Sequence, residues 1–397
     1  MKIKLKVGLL AIGLSFCLLF YVAIFSKSGG DIGYKQIPIQ YTDDRVMLKP
    51  SFTTVKAKAG PTDLLTVSKI QQLYQETDDI LKKLKIKFKD QIYKLLQTNA
   101  EYPSRRINQT LYPKCHRHYD LVVLVTSSPH NIYERESIRS GWGRPDSKIN
   151  MILNNGVIAS YKTIFSLGRS QNQKINHLVD SESRIYEDIL QLNFIDSYNN
   201  LTRKTVSSIE WVAYNCPTNY VIKTDDDCYL NILRVMPWLR RLPKNVKYVG
   251  RKQEDMDVIR DPTHRNYVSK KDHPSDTYQS YCSGGGYLLS GKVLKRIAAS
   301  SKRIPYIINE DAYMGMVAHS VRVSPYNDGR FLPFIYEQIP VIQKNPCAWR
   351  SKYLMHGIIG SEQIVMHFNS ILMEKFPFMC ALYLDSKGID NSMDIPV

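Results

Sequence analysis

The chain has 397 residues, enough for one large domain behind a stem or for two domains, and a formal charge of +17. Its lysines and arginines are scattered along the sequence and no nucleic-acid-binding motif is present, so the charge is no case for a nucleic-acid binder. It suits a surface that works beside an anionic membrane and on anionic ligands.

Lys2, Lys4 and Lys6 precede Val7 to Phe25, an uncharged run of 19 residues that is long enough to span a bilayer as a helix. Basic residues before the span and a long chain after it predict a cytosolic tail (1–6), a span (7–25) and a remainder in the secretory lumen. The apolar core is longer than that of a cleaved signal peptide, and Phe25-Ser26-Lys27 lacks the small-residue cleavage pattern, which favours an uncleaved signal-anchor. Cys17 falls inside the span. Cys115, Cys216, Cys228, Cys282, Cys347 and Cys380 would then share an oxidising compartment, where six cysteines allow 15 pairings that sequence does not choose among. No Cys-x-x-Cys spacing is present, which argues against a zinc site. Asn108 and Asn200 head Asn-x-Ser/Thr acceptors for N-glycosylation.

Residues 26–114 read as a luminal stem. Its first part, to about residue 62, mixes Gly, Pro, Lys and Thr as a tether does. From about 62 to 98 the pattern is helical: Ile70, Tyr74, Leu81, Leu84, Phe88 and Leu95 repeat in steps of three and four, interrupted at Thr77 and Gln91. Such a seam serves equally a coiled coil that dimerises the stem or a helix packed on the domain behind it.

The folded domain is expected from Cys115 to the end of the chain. Tyr119 to Thr126 reads as a buried strand ending at Ser127-Ser128-Pro129. A helix should follow, with Arg135 and Arg139 four apart on one face, placed either to grip a diphosphate or to form surface salt bridges with Glu134 or Glu136. Thr163 to Leu167 gives another strand, and Leu201 to Asn215 a helix closed by Pro217. Strands alternating with helices imply an α/β domain with a largely parallel sheet, whose ligands sit at the carboxyl ends of the strands.

At such an end stands Tyr220-Val-Ile-Lys-Thr-Asp225-Asp226-Asp227-Cys-Tyr-Leu230. An isolated acidic triplet is usually a solvated turn. Here apolar residues flank it on both sides, so the carboxylates lose hydration and need a positive partner. Oxygen ligands suit Mg²⁺ or Mn²⁺, and Asp225 and Asp227, two residues apart, can meet one ion. Residues 231–242 look helical, and 250–280 form a polar loop long enough for a lid or a substrate rim. In Tyr281-Cys-Ser-Gly284-Gly285-Gly-Tyr-Leu-Leu-Ser290 the glycines would let backbone approach a ligand, or simply make a flexible turn. Glu310 and Asp311 stand at an expected helix start, where they cap it, and where a carboxylate can also stay ionised to take a proton. His367, inside an apolar stretch, is either a core histidine or a third donor to a cation.

Taken together and in this order, Arg135-Glu-Ser-Ile-Arg139-Ser-Gly-Trp142, Tyr186-Glu-Asp-Ile-Leu, Asp196-Ser-Tyr-Asn-Asn-Leu-Thr-Arg-Lys-Thr205, the triplet with Lys223, the glycine segment and Glu310-Asp311-Ala-Tyr-Met-Gly315 resemble glycosyltransferase family 31, over roughly residues 115–370. The resemblance implies a GT-A (Rossmann-like) fold and an inverting enzyme with Mn²⁺ (or Mg²⁺) and a UDP-sugar donor. It implies β1,3 transfer of a hexose or N-acetylhexosamine to a glycan on protein or lipid at the Golgi membrane. It implies Asp225, Asp227 and His367 as metal ligands and Asp311 as general base. Arg135, Arg139, Lys223, Asp225, Asp226, Gly284, Gly285 and Glu310 are then expected around the donor. A catalytically degenerate glycan-binding or transferase-chaperone protein and a metal-dependent phosphoesterase are the competing classes.

Overall fold

Strand β1, Tyr119–Thr126, is apolar without alternation because both its faces are covered: Leu121, Val123 and Val125 enter one core and Val122 and Leu124 the other. The computed structural model describes residues 111–144, 160–333 and 349–375, all within one compact unit, Leu64–Val397. The expected membrane span, the stem helix, Asn108, Cys347 and Cys380 lie outside the described residues. Among the described residues no helix is long and apolar enough to cross a membrane.

After β1 come α1 (Ile132–Ser140), β2 (Tyr161–Arg169), α2 (Gln173–Tyr186), β3 (Ile189–Ile195), α3 (Leu201–Asn215), β4 (Thr218–Asp225) and β5 (Cys228–Leu230). Then follow α4 (Ile232–Leu239), β6 (Tyr248–Gln253), β7 (Tyr281–Ser290), α5 (Gly291–Ser301), α6 (Glu310–Ser320), β8 (Tyr326–Asn327), β9 (Phe331–Leu332), β10 (Leu354–His356) and α7 (Ser361–Lys375). The main sheet has the order β3-β2-β1-β4-β7-β6-β8. Strands β3, β2, β1 and β4 run parallel, and β7 is antiparallel to both β4 and β6. A second sheet has the order β5-β10-β9.

Winding proceeds from β1 outward to β3 and then returns to place β4 on the other side of β1, so the direction reverses between β1 and β4. Thr126 and Asp225 are register partners at the carboxyl end of that pair. The acidic triplet therefore opens into the crevice where open α/β sheets take their ligands. Helices α3, α5 and α6 cover one face of the sheet, while α1, α4, α7 and the small sheet cover the other.

Between β2 and α3 the chain forms α2 and β3, separated at Glu187, which caps the helix with φ of 54°. One element differs from the sequence expectation. The glycine segment is strand β7 at the middle of the sheet, and neither a turn nor a loop. Leu111 already belongs to the core and accepts a hydrogen bond from the Gln191 amide (3.0 Å), so ordered structure begins ahead of Cys115.

Cys115 pairs with Cys216 across 101 residues, tying the entry of the domain to the end of α3. A loop of this length removes much entropy from the unfolded chain. The double variant Cys115→Ser/Cys216→Ser should lose roughly 4 kcal/mol of unfolding free energy in a urea titration; a loss under about 1 kcal/mol would mean that the reduced chain keeps its compactness.

Candidate functional site

The three aspartates of the triplet point to three different partners. Asp225, the last residue of β4, accepts from Lys223 Nζ (2.8 Å) and from the Thr126 hydroxyl. Asp226 turns inward and is buried, taking hydrogen bonds from Ser127 Oγ (2.6 Å) and Asn131 Nδ2 (2.9 Å). Burial outweighs those donors and pushes its carboxyl up to about 6. Asp227 faces outward, with 38% of its side chain exposed and the Nε2 of His356 at 3.1 Å. Burial alone would raise the Asp227 carboxyl, but the hydrogen bond and charge of His356 hold it below the ordinary value, and Asp227 in turn raises the imidazole.

His356 reaches Asp227 because β10 pairs antiparallel with β5, in the register Cys228↔His356, Tyr229↔Met355 and Leu230↔Leu354. Two further bonds lock the ladder to the turn. The Ile358 amide donates to the Asp227 carbonyl (2.8 Å). Gln363, fully buried, donates to the Asp226 carbonyl (2.8 Å) and accepts from Trp142 Nε1 (2.7 Å), which fastens α7 and the segment after α1 to the same peptide. Cys228, also buried, directs its thiol to the Gly285 carbonyl (3.2 Å). The ligand atoms of Asp227, Cys228 and His356 all lie within 4.8 Å of one another.

Lys223 connects the triplet with the second pair of acids. Its buried ammonium donates to Asp225 and to the Gly284 carbonyl (2.6 Å) and lies 3.4 Å from Glu310 Oε2. Burial opposes the charge, yet Asp225 and Glu310 hold the lysine above its ordinary pKa. The amide of that same Gly284 donates to Asp311 Oδ2 (3.0 Å), so one lysine and one glycine residue separate Asp225 from Asp311. Glu310 is buried and accepts from Tyr287 Oη (2.6 Å). Burial raises the pKa of both Glu310 and Asp311. A cleft of about 420 Å³ opens at the carboxyl ends of β1, β2 and β3, lined among others by Ser128, His130, Arg169, Asn172 and Asp196.

Several expected residues are employed otherwise. Arg135 is fully buried, forks onto Glu182 (2.8 and 2.6 Å) and reaches Ser127 Oγ (3.0 Å). Arg139 forks onto Asp188 (2.8 and 2.8 Å), meets Glu182 (2.8 Å) and Glu136 (3.4 Å), and packs over the ring of Tyr186. Both guanidinium groups are thus committed to buried carboxylates, which leaves neither the diphosphate grip nor surface salt bridging. Arg135 touches the site from behind, through Ser127, which it shares with Asp226, and through the Ser128 carbonyl (2.5 Å). Gly284 and Gly285 make room for protein: a Cβ on Gly284 would lie 3.3 Å from Glu310 Oε2, and one on Gly285 3.0 Å from Pro333. The imidazole that meets Asp227 is His356, not His367. His367 is 1% exposed in α7 and packs beside Gly141, and burial drives its pKa down to about 4. Asn200 donates its amide to the Ile195 carbonyl (2.9 Å), while Thr202 of the same acceptor sequence is buried with its hydroxyl on the Ile307 carbonyl (2.8 Å).

The family profile described as Galactosyltransferase matches residues 133–329. β-1,3-Galactosyltransferase 5 of Homo sapiens is 36% identical over 205 residues, a match spanning 51% of this chain and 64% of that protein. UDP-GalNAc:β-1,3-N-acetylgalactosaminyltransferase 1 of Mus musculus is 30% identical over 257 residues, spanning 63% of this chain and 73% of that protein. The crystal structure of a glycosyltransferase involved in glycosylation of the major capsid of PBCV-1 covers 61% of this chain and 98% of its own, at 12% identity and a TM-score of 0.32, too low to bear on the fold. The chain belongs to the galactosyltransferase family, glycosyltransferase family 31. The profile match ends before β10, so His356 enters the site on geometry alone.

Arg135→Met removes the fork from buried Glu182, which retains its contact with Arg139 (2.8 Å). It should cost about 2–4 kcal/mol in chemical denaturation; a cost below about 1 kcal/mol would contradict the structural assignment of this arginine.

Proposed function

We propose that this chain is a hexosyltransferase, an inverting, metal-dependent enzyme that moves a hexose or N-acetylhexosamine from a UDP-sugar to a hydroxyl of an acceptor glycan on protein or lipid, forming a β1,3 linkage. The two relatives reported above are named for β-1,3 transfer, one of galactose and one of N-acetylgalactosamine, so the linkage is the shared part and the donor sugar the variable one. We further propose a GT-A fold for the domain and a site of action in the Golgi lumen, behind the expected type II anchor. One observation carries the reading: Asp225, two residues before the Asp227–His356 corner at the sheet's switch point, is joined through Lys223 and Gly284 to Asp311.

A carboxylate in the β4–β5 turn and an imidazole at the end of β10, both part-exposed, fit a cation such as Mn²⁺ that must keep positions open for substrate oxygens. When bound there, Mn²⁺ would neutralise the charge that builds on the departing UDP. Asp227 and His356 would hold it. Asp225 stands beside them, already engaged by Lys223 and Thr126. The cleft bounded by Ser128, Arg169 and Asp196 is of a size to take the nucleoside half of the donor. Lys223 is too committed to serve as a proton donor and instead keeps the two acidic groups at a fixed separation.

Asp311 is the residue for the proton. The Gly284 amide orients its carboxylate, and burial raises its affinity for a proton, both of which suit a general base. It takes the proton from the acceptor hydroxyl as that oxygen attacks the anomeric carbon from the face opposite UDP, so an α-linked donor gives a β-linked product.

UDP release that requires both Mn²⁺ and an acceptor sugar tests this reading. Asp311→Asn should keep UDP binding and lose at least about 10²-fold in transfer. Because Asp311 acts deprotonated and its folded pKa is raised, kcat should fall as pH drops through a value above 3.8, and that acid limb should vanish in the variant. Full transfer by Asp311→Asn would remove it from the mechanism, and UDP binding with no transfer by the wild type would favour a glycan-binding protein.

A further inference from the structure

Cys228 has no role in the reaction just described, yet it stands in the metal corner. It is directly opposite His356 in the β5–β10 ladder, so thiol and imidazole leave the same face of that two-stranded ribbon, and Asp227 immediately precedes it. The thiol is reduced and buried. Its distance to Asp227 Oδ1 is 3.7 Å, and that of His356 Nε2 to Asp227 Oδ2 is 3.1 Å. Tetrahedral Zn²⁺, with Zn–S near 2.3 Å and Zn–N or Zn–O near 2.0–2.2 Å, sets ligand–ligand edges of about 3.3–3.6 Å. The observed spacings lie on either side of that range. They end on the two oxygens of one carboxylate, so the Asp227 torsion adjusts both edges, and all three ligand atoms lie within 4.8 Å of one another.

We propose that Asp227, Cys228 and His356 form a site for a thiophilic divalent cation, Zn²⁺ being the type, which displaces the hard cation of sugar transfer and arrests the enzyme. The two cations use the corner differently. Mn²⁺ takes oxygen and nitrogen donors and leaves the sulfur aside, whereas Zn²⁺ gains from a thiolate. As the S–Zn bond forms, the Sγ–H bond breaks and its proton passes to solvent; no electron is transferred. Three protein ligands on a tetrahedral ion leave one open position, too few for a diphosphate that must be gripped by two oxygens. The arrest rests on the transferase reading above, while the cation site itself does not.

Co²⁺ reports on such a site by its thiolate-to-metal charge-transfer absorption, independently of activity. The purified full chain, in detergent, should show this band on addition of Co²⁺ and lose it on addition of Zn²⁺. Cys228→Ser and Cys228→Ala should both lack it, and Cys282→Ser should retain it. Zn²⁺ inhibition at fixed Mn²⁺, read against each protein's own uninhibited rate, should weaken by about tenfold or more in Cys228→Ser. A band that survives in both Cys228 variants, or no band in the wild type, would overturn the proposal, as would equal Zn²⁺ inhibition in wild type and Cys228→Ser. A cysteine-dependent band in a chain that transfers no sugar would keep the cation site and remove the transferase reading; transfer without a band would do the reverse.

Discussion

The antiparallel pairing of β5 with β10 is the interaction on which the site depends. Three residues on each side are enough, because the register that opposes Leu230 to Leu354 also opposes Cys228 to His356. The apolar pair sits in the core and sets the alignment; the polar pair, two residues along on the same face, inherits it. A slip of one residue would turn the imidazole away from Asp227 and bury it. The Ile358 amide on the Asp227 carbonyl and Gln363 on the Asp226 carbonyl resist such a slip from two further directions.

The second half of the site is built by close approach. Strand β7 passes the small sheet and α6 with no side chains at positions 284–286, and a Cβ on Gly286 would fall 2.2 Å from Leu354 Cδ1. The same glycines leave the Gly284 backbone free on both sides, its carbonyl accepting from Lys223 and its amide donating to Asp311. Glycine at these positions therefore acts by packing one sheet against another, and its effect on the chemistry is indirect. Buried charge is handled in the same spirit around Arg135, whose fork on Glu182 holds Ser127 where it can donate to Asp226.

Local pattern carried the legible part of this architecture. The apolar run of β1, the bounds of α3 and the placing of Asp225 at a strand end were all readable, because each depends on a few consecutive residues. The start of α6 at Glu310, with Asp311 in its first turn, was readable for the same reason. What the sequence left open depended on long-range pairing. Two histidines follow short apolar runs near the end, His356 and His367, and only the ladder with β5 distinguishes the one that meets the triplet. The signal was present in Tyr353-Leu-Met-His356, an apolar strand ending in a polar group, which mirrors the way β4 delivers its aspartates. Arg135 and Arg139 misled because spacing fixes their shared helix face but cannot tell whether a ligand or a buried Glu182 and Asp188 lies against it.

Mn²⁺ binding to the full chain in the presence of UDP, followed by electron paramagnetic resonance, tests the central claim most directly when two single variants are compared. Weakening by about tenfold or more in His356→Gln, with His367→Gln binding as the wild type does, is the result that the β5–β10 register requires. Loss of Mn²⁺ in folded His367→Gln, with His356→Gln unaffected, would contradict it and return the metal to the helix.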